Sequence, residues 1–297
     1  MHARIRLTAE DKAVNAIVMI VSVLALLATF YPIYYLLIYS LNDPIDAAGG
    51  GLYWYPRKFT LENFGYVFKS DQLLHSFLVT VARTLLGTAA GVLFTATAAY
   101  ALSKERLRFR KAYSIIGLIT MYFSGGLIPN YLLYQKLQLL NTFWVYIIPA
   151  LFSIYNALLF MAFFRQMPAE LEESAKVDGA GDFYIFARII LPLSKPVLAT
   201  VALFVAVNHW NDWFSSAYYV SNQNLWTMPT IIVRMLSDNS IMDNMKNMSP
   251  GMRMDPLSTL QAIKYATLIV TILPITIVYP FIQRYFVQGM MVGAIKA

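Results

Sequence analysis

The chain reads as long apolar runs separated by short polar connections. A helix needs about 20 mostly apolar residues to cross about 30 Å of hydrocarbon. Between Lys12 and Asp43 no Asp, Glu, Lys or Arg interrupts 30 residues. Comparable runs hold 20 residues after Arg83, 24 between Lys111 and Lys136, 28 between Lys136 and Arg165 and 19 from Tyr265 to Gln283. The run from Ile189 to Asn211 is broken only by Lys195, close enough to its end to snorkel. The pattern predicts six spans, at about 13–41, 75–103, 112–135, 142–165, 189–213 and 263–284, in a single all-α membrane domain over 1–297.

Trp213 to Val233 also lacks charge, but it carries Ser215, Ser216, Ser221, Asn222, Gln223, Asn224, Thr227 and Pro229. Uncompensated amides and hydroxyls are expensive in lipid, so this stretch is assigned to a long external loop over 214–261. The first run far exceeds the apolar core of a signal peptide and no A-x-A site follows it, so it is expected to stay as an anchor.

Composition narrows the class. Of 297 residues, 58% are hydrophobic and 13% charged, with mean hydropathy +0.55. A typical soluble domain has about 25% charge. That excludes an ordinary soluble enzyme, a disordered chain and a nucleic-acid-binding domain, despite the net charge of +7. There is no Cys, hence no disulfide or thiolate site. His2, His75 and His209 are scattered, so no metal site is expected.

The basic surplus instead sorts by side. Six spans put both termini on one face, with the connections 104–111 and 165–195. That face holds 14 Lys/Arg and 8 acids; the other holds 7 and 8. The positive-inside rule makes the first face cytoplasmic, and the cluster Lys104, Arg106, Arg108, Arg110 and Lys111 decides it as a topology anchor.

The connection over 166–188 is more than a turn. Pro168 suits the first position of a helix, and Glu170, Glu172 and Glu173 fall in early turns that favour acids. Gly179 or Gly181 can adopt the left-handed conformation that ends a helix, and Asp182 can cap the next one. Acidic and weakly apolar, the first helix suits a partner's groove better than a lipid surface.

Here the sequence resembles a family. Glu173-Ser174-Ala175, then Asp178-Gly179-Ala180, then Leu191-Pro192-Leu193, is similar to the EAA loop of ABC importer permeases; only Ser174 departs from the pattern, where the family has a second Ala. Trp210-Asn211 and the end Gly293 to Lys296 extend the likeness over the whole chain, closest to the maltose-type carbohydrate-uptake group that includes maltose, lipo-oligosaccharide and alginate importers. The resemblance implies the type I importer permease fold in the bacterial cytoplasmic (inner) membrane, with Glu172, Glu173, Ser174, Ala175, Asp178, Gly179, Ala180, Leu191 and Pro192 forming the ATPase-coupling segment. It implies a homologous second permease, two ATPase subunits that carry ATP and Mg, and an extracytoplasmic binding protein. This chain itself is expected to bind no cofactor and to have no catalytic residue.

Sugars are recognised by aromatic faces together with amides and hydroxyls. Val207 to Val220 offers both, and Asn208, Trp210, Asn211 and Trp213 are assigned to a substrate path at the end of span five. Against this stands the reading of an aromatic belt with helix-end caps. Arg83 either snorkels outward or meets an acidic sugar, and Asn156 is a further polar residue within a span. Met235, Met242, Met245, Met248, Met252 and Met254 make the fifth connection an adaptable surface for a binding protein. The main rival is an ion-coupled secondary sugar transporter, which needs intramembrane carboxylates; within the six spans there is none besides Asp212, at the end of span five. No HExxH, GxSxG or P-loop motif supports an enzyme.

Overall fold

The computed structural model describes residues 8–237 and 256–294. Among them the elements are helical, with no strand beyond one isolated bridge between Asn42 and Phe59. The chain divides into two compact units. The first takes the residues up to Ser70 with the stretch ending at Val270; the second takes Asp71–Ser237 and resumes at Thr271.

In the first unit, α1 (Ala9–Ser40) starts at a capping box. Thr8 accepts from the Asp11 amide while the Asp11 carboxylate takes the Thr8 amide, satisfying two orphan donors. The apolar stretch of α1 up to Phe30 is exposed within its own chain, as a lipid- or partner-facing helix should be, while Ile38 and Ser40 at its end are buried. After α2 (Pro44–Ala48), α3 (Glu62–Lys69) returns Asn63 beneath the end of α1, where its amide donates to the carbonyls of Ser40 (2.9 Å) and Asn42 (3.0 Å).

The second unit is built on α4 (Asp71–Ser103), an unbroken helix of 33 residues. Where the apolar pattern predicts three further continuous spans, the chain bends. α5 (Arg110–Tyr122) and α6 (Leu127–Lys136) meet at 118°. The cause is Gly126 at φ +83°, a left-handed position that stops the helix between them. A 3-10 stretch through Pro149 precedes α7 (Ile154–Phe164) at 47°. After α8 (Glu170–Val177) and α9 (Asp182–Ile185) comes a π turn, Phe186–Ile190, then α10 (Leu191–Leu193) and an 84° bend into α11 (Lys195–Asn211). Pro192 lacks the amide that would bond Arg188, and its ring crowds that carbonyl, so the ladder loosens there. Among the described residues, each bent pair counted as one span gives six, and three helices are long and apolar enough alone, the third over Leu260–Pro280 of α14 (Pro256–Ala294).

The polar stretch assigned to the external connection carries helices, α12 (Phe214–Tyr219), a 3-10 turn and α13 (Met228–Ser237). Its buried hydroxyls, Ser216, Thr227 and Thr230, are paired, which removes the burial cost that argued against order. Ser216 accepts from the Thr227 amide (3.2 Å), Thr230 donates to the Trp213 carbonyl (3.0 Å) and Thr80 of α4 accepts from the Met228 amide (2.8 Å). Met235 lies in α13, whereas Met242, Met245, Met248, Met252 and Met254 lie outside the described residues. One apolar core joins Ala96 and Ala99 of α4, Phe160 of α7, Ile185 and Ile190 beside the π turn and Val201 of α11. It sits directly on the α8–α9 segment, because Ala175 and Ala180 pack against it.

Candidate functional site

The α8–α9 segment is shaped by its termini. Asp178 ends α8, Gly179 follows at φ +82° and two bonds close the turn: the Ala180 amide to the Ala175 carbonyl (2.9 Å) and the Gly179 amide to the Lys176 carbonyl (3.0 Å). This six-to-one plus five-to-two pair is the Schellman pattern, and Ala175 and Ala180 at its two ends both pack against the core. Of the two glycines that the sequence allows for this turn, Gly179 takes it. Gly181 is extended, at φ −76°, and caps α9.

Two capping expectations are corrected. Pro168 stands outside the helix, before the cap residue Ala169, and its carbonyl accepts the Leu171 amide. Asp182 is the first residue of α9 rather than its cap, because its carboxylate pairs with Arg106 instead of bonding its own helix. The hydrogen bond from Arg106 holds the Asp182 carboxyl below the usual carboxylate range.

Helical spacing splits α8 into two faces. Glu170, Glu173, Ser174 and Val177, at i, i+3, i+4 and i+7, are exposed, Val177 to 88%. Glu172 and Ala175 turn inward. Glu172 pairs with Lys104, at the end of α4, and so is engaged within the chain rather than free for a partner. The Ser174 hydroxyl bonds back to the Glu170 carbonyl (2.9 Å), which leaves the exposed face flat at the one place where the EAA pattern is altered. Past the turn, Phe183 on α9 is 77% exposed. Leu191 and Pro192 form α10, the break before α11, and belong to the frame of the segment rather than to its exposed face.

At the other end of α11 lies a polar corner. Arg83 is 2% exposed, so it neither snorkels nor meets cargo in this conformation. Its Nη1 donates to the Asp212 carbonyl (2.8 Å), its Nη2 pairs with the Asp212 carboxylate and its guanidinium lies 4.5 Å from the Tyr146 ring centroid. Tyr146 in turn donates to the Leu225 carbonyl (2.7 Å). A charge at this depth needs such compensation. His209 is buried against α4, where its ring fills the place of the missing Gly87 side chain. Trp210 is buried too; its indole donates to the Thr271 carbonyl (3.1 Å) and its ring meets Phe77 edge-on.

The corner separates the residues assigned to the substrate path. Asn208, Asn211 and Trp213 are exposed, with Phe214 and Tyr218 beside Trp213 at 6.0 and 6.3 Å between ring centroids. Trp210 faces the protein interior. Asn156 sits in the first turn of α7, and among the described residues no hydrogen bond joins it to the corner. Sequence reading missed Lys104, Arg106 and Tyr146 as members of these sites. Lys104, Arg106 and Tyr146 bond partners 68, 76 and 79 residues away, so no local pattern announces them; only the opposite charge of two connections on one face hinted at the first two.

Comparison with known proteins places this geometry. A family described as binding-protein-dependent transport system inner membrane component matches residues 7–292. Protein LplC of Bacillus subtilis (strain 168) is 39% identical over 272 residues, 90% of each chain. The polygalacturonan/rhamnogalacturonan transport system permease protein YtcP of the same organism is 36% identical over 81% of this chain and 83% of its own. Among solved structures, a chain of a bacterial ABC transporter involved in the import of the acidic polysaccharide alginate is similar with a TM-score of 0.84 at 25% identity, covering 94% of this chain and 98% of that one. The exposed α8 face, its glycine turn and the bent helices therefore stand in a chain that belongs to the family of binding-protein-dependent transport system inner membrane components, the ABC importer permeases.

Proposed function

We propose that this permease carries oligosaccharides or polysaccharide fragments inward, and that α8 couples it to ATP hydrolysis on another chain. The observation that carries the coupling reading is the split of α8: one face is locked to α4 and the core, while Glu170, Glu173, Ser174 and Val177 are presented to a partner. Glu173 is suited to pair with a basic residue of an ATPase subunit, which holds the ATP and Mg. Two such subunits, a homologous second permease and an external binding protein complete the importer, with both termini cytoplasmic.

The carbohydrate reading rests on the relatives and on chemistry. A similar chain transports polygalacturonan/rhamnogalacturonan and another belongs to an alginate importer. The exposed row of Asn208, Asn211, Trp213, Phe214 and Tyr218 combines the amides and ring faces that suit sugars. An ion-coupled transporter would need a free intramembrane carboxylate, but Asp212 is neutralised by Arg83. Reconstitution with the ATPase and second permease, followed by a panel of sugar-loaded binding proteins, tests the reading. ATPase stimulation by at least one uronic or neutral oligosaccharide is expected; ATPase activity indifferent to every carbohydrate contradicts it.

A further inference from the structure

Two ion pairs tie the connection after α4 to the coupling segment. Lys104, one residue past α4, pairs with Glu172 on α8, and Arg106 pairs with Asp182 on α9, so the segment is held on both sides of its glycine turn. The Lys104 ammonium also lies 4.1 Å from the ring centroid of Tyr100, in the last turn of α4. Lys104 and Glu172 are 21% and 18% exposed, where charges attract more strongly than in open water. Arg106 and Asp182 are more than half exposed and bind more weakly. Orientation in the membrane requires only that these cations stay on one side. It does not require that two of them find carboxylates on the coupling segment.

We propose that Lys104 is a positioning residue for energy coupling. With Arg106 it clamps α8 to the end of α4, so that the coupling helix and α4 move as one body through the transport cycle. The inference rests on α8 being the ATPase-facing helix. Its physical basis is the difference between two routes to the polar corner. The chain route from α8 to Asp212 passes the π turn, Pro192 and an 84° bend. The clamped route runs along one unbroken helix from Lys104 to Arg83, about 30 Å at 1.5 Å per residue, and ends on the same Asp212. A continuous helix transmits displacement where a loosened, bent ladder absorbs it.

The natural absence of Cys makes the test direct. In the reconstituted importer, Lys104→Glu should lower uptake per ATP hydrolysed about fivefold, equal to about 1 kcal/mol, while the ATPase still co-purifies. Adding Glu172→Lys should restore it. A reducible bis-thiosulfonate bridge across Lys104→Cys and Glu172→Cys should likewise raise the impaired uptake of that pair, and reductant should lower it again. Normal coupling in Lys104→Glu, no recovery in the charge swap, or inhibition by the bridge overturns the clamp. Normal uptake with Glu173→Lys would instead defeat the docking reading and leave these comparisons to stand separately.

Discussion

Arg83 and Asp212 make a two-point contact, in which one guanidinium takes both the backbone carbonyl and the carboxylate of the residue that joins α11 to α12. Breaking a buried pair from one side leaves an uncompensated charge, at about 3–5 kcal/mol. Asp212→Ala should therefore destabilise the purified permease strongly, and Arg83→Met with Asp212→Asn together should be milder than Asp212→Ala alone. Thermal unfolding in detergent measures both. An unshifted transition in Asp212→Ala would show that the pair does not hold the corner.

Gly179 sets the return of the chain after α8. A side chain at φ +82° costs about 1–3 kcal/mol, and a β-branched one is worst. Gly179→Val should abolish ATP-driven uptake with normal membrane insertion, whereas Gly179→Asn should retain much of it, since Asn tolerates this region. Equal uptake by the two variants would remove the conformational explanation.

Gly87 and His209 are matched in size. A Cβ on Gly87 would collide with the imidazole, so α4 and α11 approach closely only because one is Gly. Gly87→Val is expected to cost about 1–3 kcal/mol through overpacking. His209→Ala in the same chain should recover part of the loss, and a strictly additive double variant would contradict direct packing.

The Arg106–Asp182 pair should be insensitive to neutral pH. The Asp182 carboxyl is held below its ordinary value by the hydrogen bond from Arg106. Its contribution is thus present above the unfolded carboxylate range near about 3.9 and lost only as pH falls through the lower folded value. The uptake ratio of Asp182→Asn to the parent should stay constant from about pH 6 to about pH 8. A ratio that drifts across that window would mean another group titrates there.

Trp213 belongs to the exposed row and Trp210 to the interior, which separates their expected effects. Trp213→Ala should reduce uptake at saturating binding protein by about three- to tenfold, the worth of one aromatic contact, without changing thermal stability. Trp210→Ala, which loses an indole hydrogen bond and a buried ring, should unfold earlier. The reverse pattern would place the path on the other side of α11.

What the sequence made legible follows from range. The glycine turn after α8 and its acid-rich first turn are local features visible in the sequence, which left only Gly179 and Gly181 to be told apart by their backbone conformation. The apolar runs fall on three long helices and three bent helix pairs among the described residues. The bends within three of them depend on Gly126, Pro149 and Pro192 acting at particular depths, which run lengths do not encode. The division between Asn208 and Asn211, outside, and His209 and Trp210, inside, needed the orientation of α11. Lys104 with Glu172 and Arg83 with Asp212 are long-range pairs. For Arg83 the sequence showed only a charge in an apolar run, and the partner that explains it stands 129 residues on.

In the proposed coupling, one face of α8 meets an ATPase and the other meets its own chain. Single cysteines in this Cys-free permease, crosslinked in membranes with the assembled importer, read that division residue by residue. Glu173→Cys and Val177→Cys should crosslink to the ATPase subunit, while Glu172→Cys and Ala175→Cys should not. Crosslinking from positions 172 and 175 but not from 173 and 177, or from none of the four, would contradict the account.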